Sequence, residues 1–477
     1  MFGPYTVVTG GNFHQNIQHH PASKGKYVHS LGAWDILKQI TRFADPFDRL
    51  LEAASPRAFH NSNDDICDPP KCHPNTRVAV LNKIMDWIRG LDPETRNALV
   101  MWLYGPAGSG KSAIGRSIAE RCYEEGILLA SYFFSRSDPT RNHGRSFIAT
   151  IVYQISIHFP DIRDHLVGTI HRDPLIFTRS LDAQILALIV EPMRDRIDAG
   201  SFNTTDTARL IIIDGLDECQ GRESQVKILT TISHALQRHR LPFIFLIASR
   251  PEHDIRSTFD VGYLRESSTR IVLGHEYHPS KDIRLFLQDK FTDIQQSHPF
   301  RAHLPAMWPS SNALQTLVDK SSGQFIYAST VIKFVRSSRH RPHQRLDIVL
   351  GVRSVHREMP FAELDGLYKR ILSSVDDTEL ITRIFTLHYF SDDRFSVNYI
   401  EKLLSLNKGD ISEMLCDLTS LIFVDSSGLL GVFHNSLWDF LKDHSRSGNF
   451  CINDPVVRAD SGRLFIHYFD SKHFLIY

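Results

Sequence analysis

The sequence predicts an α/β fold, a doubly wound parallel sheet followed by helical and winged-helix modules, and three observations carry that expectation. Short apolar runs at Leu99–Tyr104, Leu128–Phe134, Leu210–Ile213, Phe243–Ala248 and Arg270–Leu273 alternate with stretches whose apolar residues recur at steps of three and four. That is the pattern of buried parallel strands joined by helices. Glycines crowd the turn between the first run and the helix after it, at Gly105, Gly108 and Gly110. Beyond residue 275 the strand signals stop, and helical repeats lead to a single hairpin around Gly428.

Residues 1–58 read as a tail with short helices. The first 30 are rich in Gly, His, Asn and Gln without periodicity, and Trp34, Leu37, Ile40 and Phe47 place one or two amphipathic helices before Ala54. Residues 59–97 supply a linker helix marked by Val78, Leu81, Met85 and Ile88, with Asn75 or Thr76 as its N-cap. His60, Cys67, Cys72 and His73 match no paired zinc-ligand spacing, and adjacent Cys72 and His73 do not easily face one ion. They read as a structural loop.

Residues 98–275 are the predicted nucleotide-binding domain. Gly105, Pro106, Ala107, Gly108, Ser109, Gly110, Lys111 and Ser112 match the full P-loop pattern, and the helical repeat Ile114, Ile118, Cys122 begins just after Ala113. The glycines let the backbone wrap a phosphate while the helix N-terminus aims its unpaired N–H groups at it. Lys111 then reaches the terminal phosphates, and the Ser112 hydroxyl is a magnesium ligand. After the second run, Phe147, Ile151, Ile155 and Phe159 mark a helix. The third run ends in Asp214-Gly-Leu-Asp217-Glu218. An apolar strand that delivers acids to its C-terminal edge is what phosphoryl chemistry over a sheet requires. Asp214 is the magnesium-side carboxylate, through water; Glu218 polarises the attacking water, with Asp217 assisting. The fourth run delivers Arg250 to the same edge, where a guanidinium can sense a γ-phosphate.

The remaining chain divides into a helical domain (276–359), a winged-helix domain (360–447) and a C-terminal tail (448–477). In the first, the run Arg336 to Arg345 reads as a solvated interdomain loop. In the second, four helices precede the hairpin strands Leu421–Asp425 and Leu429–Phe433. Winged helices often bind DNA, but the helix ahead of this wing carries Glu413 and Asp417 and no cation, a poor element for facing phosphates. His434, opening the next helix, is either a core histidine satisfied by a backbone group or a polar contact to bound nucleotide.

Lys plus Arg (54) equal Asp plus Glu (54), so no global field draws the chain to nucleic acid or an anionic membrane. Six scattered cysteines fit no disulfide framework, no apolar run is long enough to span a membrane, and the N-terminus lacks a signal peptide's basic and apolar segments. The expectation is a soluble cytoplasmic protein.

Several of these residues, taken together, resemble a family. The chain is similar, from about Phe59 to about Asp454, to fungal NACHT-domain proteins of the STAND class of signal-transduction ATPases, relatives of the NOD-like receptors. The resemblance rests on Pro70 to Arg77, on the P-loop, on Leu210-Ile-Ile-Ile-Asp-Gly-Leu-Asp-Glu-Cys219, on Ala248-Ser-Arg-Pro-Glu252 and on His434-Asn-Ser-Leu-Trp-Asp-Phe-Leu441. It implies a switch in which ADP, held between nucleotide-binding and winged-helix domains, keeps the protein closed. Exchange for ATP opens it to assemble as a homo-oligomer, with slow hydrolysis as a timer and Mg2+ as cofactor. In that scheme Thr76 and Arg77 lie near the adenine, Lys111 and Ser112 at the phosphates and magnesium, Arg250 is the sensor, and His434 faces the ADP phosphates.

Relatives often carry a proline two residues after the glycine that aligns with Gly323, where this chain has Phe325. They usually end in sensor repeats, whereas no internal period occurs here. The resemblance therefore implies a switch core without its sensor, acting in fungal intracellular recognition or programmed cell death with unknown protein signalling partners. A nucleotide-binding interaction scaffold, or a truncated relative, without catalytic turnover is the alternative.

Overall fold

The computed structural model describes residues 45–62, 71–136, 138–202, 208–273, 277–351, 361–391, 395–415, 418, 421–425, 427–432, 434 and 436–473. Five strands, β1 (Val100–Tyr104), β2 (Leu128–Phe133), β3 (Leu210–Asp214), β4 (Ile244–Ser249) and β5 (Ser268–Val272), form one parallel sheet in the order β2-β3-β4-β1-β5. Alternate residues serve opposite faces, as the pleat requires. Val100, Trp102, Ile211, Ile213, Phe245 and Ile247 enter one core; Met101, Leu103, Leu210, Ile212, Leu246 and Ala248 enter the other. Helices Val78–Ile88 and Lys111–Glu124 cover the second face, and helices including Phe147–His158 and Arg222–His239 cover the first. The sheet is thus doubly wound, as expected, with both faces dry.

A separate core begins at Ile283 and runs to Ile452. It packs helices Pro279–Ser297, Ser311–Ser321, Phe325–Val335 and Pro342–Gly351 with Ala362–Leu372, Thr378–Phe390, Val397–Leu403 and Asp410–Leu415. Strands β6 (Ile422–Val424) and β7 (Leu430–Val432) pair antiparallel, and a bridge from Ser396 to Leu429 adds a third short partner. Helix Ser436–Lys442 follows, with Leu437, Trp438, Phe440 and Leu441 buried. Among the described residues no helix is long and apolar enough to cross a membrane.

Several expectations need correction. Helix Val78–Ile88 is capped by neither Asn75 nor Thr76: Arg77 holds the cap position at φ 57° without a side-chain cap bond, and the Thr76 hydroxyl donates to the His73 carbonyl instead (2.6 Å). The Arg336 to Arg345 run is only partly loop, because helix Pro342–Gly351 starts within it. Arg345 is buried there, its guanidinium 4.1 Å over the Phe334 ring and donating to His340 Nδ1 at 2.7 Å. The segment read as a C-terminal tail buries Phe450 and Ile452 and continues as helix Pro455–His473. Beyond the expected helix Phe147–His158, helices Arg163–Arg172, Leu181–Ile185 and Glu191–Asp198, with a π-helical turn at Leu186–Val190 between the last two, fill a stretch where no helix was expected. No cluster of metal-ligating side chains occurs among the described residues; Cys67, Asp417 and most of the N-terminal segment lie outside them.

Candidate functional site

Strand order places the site. β4 stands between β1 and β3, and register pairs Tyr104 with Ser249 and Ile213 with Ile247. The P-loop, Arg250 and the acidic turn therefore leave the sheet side by side at its C-terminal edge, where open α/β sheets bind ligands. Gly108 (φ 73°) and Gly110 (φ 92°) take the left-handed conformations that a loop folded around an anion demands. Helix Lys111–Glu124 starts directly after Gly110, so the N–H groups of Lys111, Ser112 and Ala113 have no carbonyl one turn earlier to bond.

Lys111 Nζ donates to the carbonyls of Gly105 and Pro106, both at 2.9 Å. Burial pulls its pKa below the usual lysine range, against the pull of Asp217. Asp214 is 3% exposed and its Oδ1 has no hydrogen-bond partner among the described residues. Burial pushes its pKa up to about 6, opposed by the Ser112 hydroxyl and by Arg116 and Lys111. An orphaned carboxylate oxygen beside a serine hydroxyl and a lysine fits a hydrated magnesium ion, since leaving it unmet costs about 1–3 kcal/mol.

Past Gly215, a 3-10 turn at Leu216–Glu218 presents the other two acids. Asp217 Oδ1 accepts the Arg250 N–H at 2.9 Å and its Oδ2 lies 3.2 Å from Arg250 Nε. Glu218 Oε2 accepts the Arg136 N–H at 3.1 Å. Arg250 reaches further, placing Nη1 2.6 Å from Oδ2 of Asp439 on helix Ser436–Lys442. Burial works against the charge on Arg250, but Asp439 and Asp217 outweigh it and raise its pKa.

The second core supplies the opposite wall. His434 Nδ1 accepts the Ser436 N–H at 3.0 Å and meets the Ser436 hydroxyl at 2.7 Å, which in turn meets the Tyr368 hydroxyl at 2.7 Å. Burial, and the charges of Arg250 and Lys111, lower the His434 pKa to about 3. The ring is therefore neutral with its proton on Nε2, a donor held in place by its other nitrogen. His434 thus has the backbone bond expected of a core histidine, and it also lines the cavity between the two cores.

Arg77 belongs to both halves. Its backbone N–H donates to Asp282 Oδ2 at 2.9 Å, and its Nη2 donates to the Ser109 carbonyl at 2.8 Å. The guanidinium lies 4.9 Å over the Phe325 ring, with Nε and Nη1 buried and without a hydrogen-bond partner among the described residues. Phe286 packs between Phe325 (6.2 Å) and His73 (5.5 Å), giving this end an aromatic wall.

One cavity of about 850 Å³ joins these groups. Thr76, Arg77, Ala107, Gly108, Gly110, Lys111, Ser112, Ala113, Asp214, Asp217, Glu218, Arg250 and His434 all line it. Gly105, Pro106 and Ser109 form the back of the loop, with the Ser109 hydroxyl buried and without a hydrogen-bond partner among the described residues. Sequence reasoning missed Asp439, Arg136, Asp282 and Ile326. None sits in a glycine-rich or acidic pattern, and only the long-range pairing of two cores reveals them.

The loop, the strand order and the acidic edge define a P-loop nucleotide-binding fold. Residues 81–250 match the family model described as Nephrocystin 3, N-terminal. No curated protein matches the chain. Among solved structures, the STAND protein with a tetratricopeptide repeat sensor from Pyrococcus horikoshii aligns at a TM-score of 0.41 with 13% identity, over 81% of this chain and 47% of that one. The chain thus spans about half the length of that protein. The Cdc6 protein of Pyrobaculum aerophilum aligns at 0.35 with 13% identity, over 84% and 99% of the two chains. The Orc1 protein of Aeropyrum pernix, solved in complex with DNA, aligns at 0.32 with 13% identity, over 82% and 94%.

Proposed function

We propose that this chain is an ATP/ADP-dependent signal-transduction switch of the NACHT type, in which slow ATP hydrolysis controls a closed-to-open transition and self-assembly. The observation that carries the reading is that a single cavity is walled on one side by the P-loop, the acidic turn and Arg250 and on the other by His434 of the second core. A ligand held there contacts both cores at once, which gives it the differential affinity that a two-state device needs. Residues 98–275 act as the nucleotide-binding domain, 276–359 as the helical domain and 360–447 as the winged helix. The NACHT-like motifs support a cytoplasmic role in fungal intracellular recognition or programmed cell death, through a homo-oligomer and protein signalling partners.

Each side chain takes a part. The free N–H groups of residues 111–113 and the Lys111 ammonium bind the phosphates. Ser112 and Asp214 would hold Mg2+, which supplies charge neutralisation on the phosphate oxygens. Glu218 orients and deprotonates water, and Asp217 keeps Arg250 at the sheet edge. The neutral His434 donates from Nε2 to a phosphate oxygen. Arg77 and Phe325 flank the base, the guanidinium finding partners for its unmet donors there.

The test is the nucleotide that co-purifies with the protein, identified after denaturing extraction. Near-stoichiometric ADP in the wild type and its loss in Lys111→Ala are expected, because that substitution removes the cation nearest the phosphates. Equal nucleotide content in the two proteins would sink the P-loop assignment.

A further inference from the structure

The cavity does not end at the P-loop and the acidic turn. Its walls also include Arg57, Arg116, Phe133, Asp138 and Arg141 from the nucleotide core, and Leu421, Phe423 and Leu429 from the hairpin of the second core. None of these holds nucleotide in the function proposed for the cavity. On the first wall three guanidiniums meet one carboxylate. Asp138 Oδ2 takes Arg141 Nε at 2.9 Å and Arg57 Nε at 3.2 Å, while its Oδ1 accepts the Thr140 N–H (3.0 Å) and hydroxyl (2.7 Å). Burial works against its charge, but Arg141, Thr140 and Arg57 outweigh it and lower its pKa. Asp138 meets each arginine through Nε, so it orients the two five-donor forks without neutralising both. Arg116 adds a third cation, 4.5 Å over the Phe133 ring with Nη1 on the His60 carbonyl at 2.9 Å. The second wall is apolar, and its shape depends on one glycine. Gly431 pairs with Phe423 across the hairpin, and a Cβ there would stand 2.3 Å from Phe423 Cζ. The ring therefore lies against bare backbone, a place that a side chain would close, and lines the cavity half-buried beside Leu429. Asp425, the acid on this wall, spends Oδ1 on the N–H groups of Ser427 (2.9 Å) and Leu429 (2.7 Å) in its own turn.

We propose that this end of the cavity is a second ligand site, for a small anionic amphiphile whose acid group meets Arg57 and Arg141 and whose apolar body lies on Phe423 and Leu429. Phosphates and magnesium make no use of an apolar shelf, and a purely apolar ligand would leave the surplus guanidinium charge unmet. A molecule with both characters satisfies both walls. The cavity, at about 850 Å³, lies near the top of the range of roughly 300–1,000 Å³ found for ligand sites, which leaves room for a second occupant. A ligand seated there touches both cores and so favours their docked arrangement, as nucleotide does. The second site stands on its own lining; only this last consequence rests on the reading of the cavity as a nucleotide site.

The experiment titrates the full chain, with ADP and magnesium saturating, with 1-anilinonaphthalene-8-sulfonate, an anionic aromatic probe whose fluorescence reports an apolar site. Octanoate and 1-octanol are then compared as competitors. One saturable probe site per chain is expected, emptied by octanoate and about tenfold less readily by the uncharged alcohol. Arg57→Gln and Phe423→Ala should each weaken probe and octanoate about five- to tenfold. The Arg57 side chain is 50% exposed, so its replacement leaves the fold in place. Binding that does not saturate, octanol as effective as octanoate, or a probe indifferent to both substitutions overturns the proposal. So does expulsion of the probe as ADP is added to stripped protein, which would put it in the nucleotide site itself. Failure of the nucleotide reading looks different: the chain would bind no ADP, or Lys111→Ala would bind it equally well, while the dependence of the probe on Arg57 and Phe423 stayed.

Discussion

Asp214 combines full burial, an oxygen with no partner among the described residues and a pKa pushed up to about 6. In the unfolded chain an aspartate ionises near 4, so ionising Asp214 in the folded, ligand-free protein works against the fold. The penalty is absent below about pH 4, grows between about 4 and 6, and is complete above 6, where it amounts to at most about 3 kcal/mol. Asp214→Asn removes it. In nucleotide-free and magnesium-free buffer the variant should melt several degrees above wild type at pH 7.5, and the two should converge by about pH 4. A difference in Tm that does not change with pH would mean that the carboxyl is not the source. Magnesium with nucleotide should reverse the order, since a cation beside the carboxylate inverts the cost of its charge.

At the scale of elements, the P-loop and helix Phe325–Val335 meet at an unusually close approach. A Cβ on Gly108 would stand 2.1 Å from Ile326 Cγ2, and the Ile326 N–H points at the Gly108 carbonyl (3.4 Å). Gly108→Ala therefore carries two costs, about 1–2 kcal/mol for a side chain at φ 73° and about 1–3 kcal/mol for the collision. Ile326→Ala relieves only the second, and that in part, since the Cβ that alanine keeps would still stand 2.9 Å away. The double variant should be more stable than the sum of the singles by about 1–3 kcal/mol in urea unfolding. Strict additivity would show that the helix does not sit on the loop. Loop and strands were legible because β1, β3 and β4 are buried on both faces and so read as continuous apolar runs. Between β2 and β3, helix Phe147–His158 was legible in its own apolar period, but Leu181–Ile185 and Glu191–Asp198 were not, since the π-helical turn at Leu186–Val190 breaks the regular period that would betray them. The cap of helix Val78–Ile88 was misread for a different reason: a carboxylate 205 residues away, on Asp282, takes the Arg77 N–H. Asp439 falls within the His434 to Leu441 motif, but nothing local in it shows the side chain's partners, which are arginines met across the fold.

The described residues form two apolar bodies, the sheet with its flanking helices and the helical body from Ile283 to Ile452. They share the cavity, and much of what joins them there is polar: Arg250 with Asp439, the Arg77 N–H with Asp282 and the Ile326 N–H with Gly108. Partly exposed ion pairs and single hydrogen bonds are each worth about a kcal/mol, too little to make two cores of this size unfold as one. A ligand touching both walls binds the docked arrangement alone, and it stabilises that arrangement by about 2.7 kcal/mol at a hundredfold excess over its Kd. Calorimetry of the nucleotide-free chain should accordingly show two transitions. Saturating ADP with magnesium should merge them and raise the lower one by about 5–10 °C. Lys111→Ala should keep the two transitions at the same ADP concentration, because the phosphates then lose their principal cation on the sheet side. One transition in the stripped protein, indifferent to ADP, would mean that the cores are coupled by packing alone and that nucleotide has no leverage over their docking.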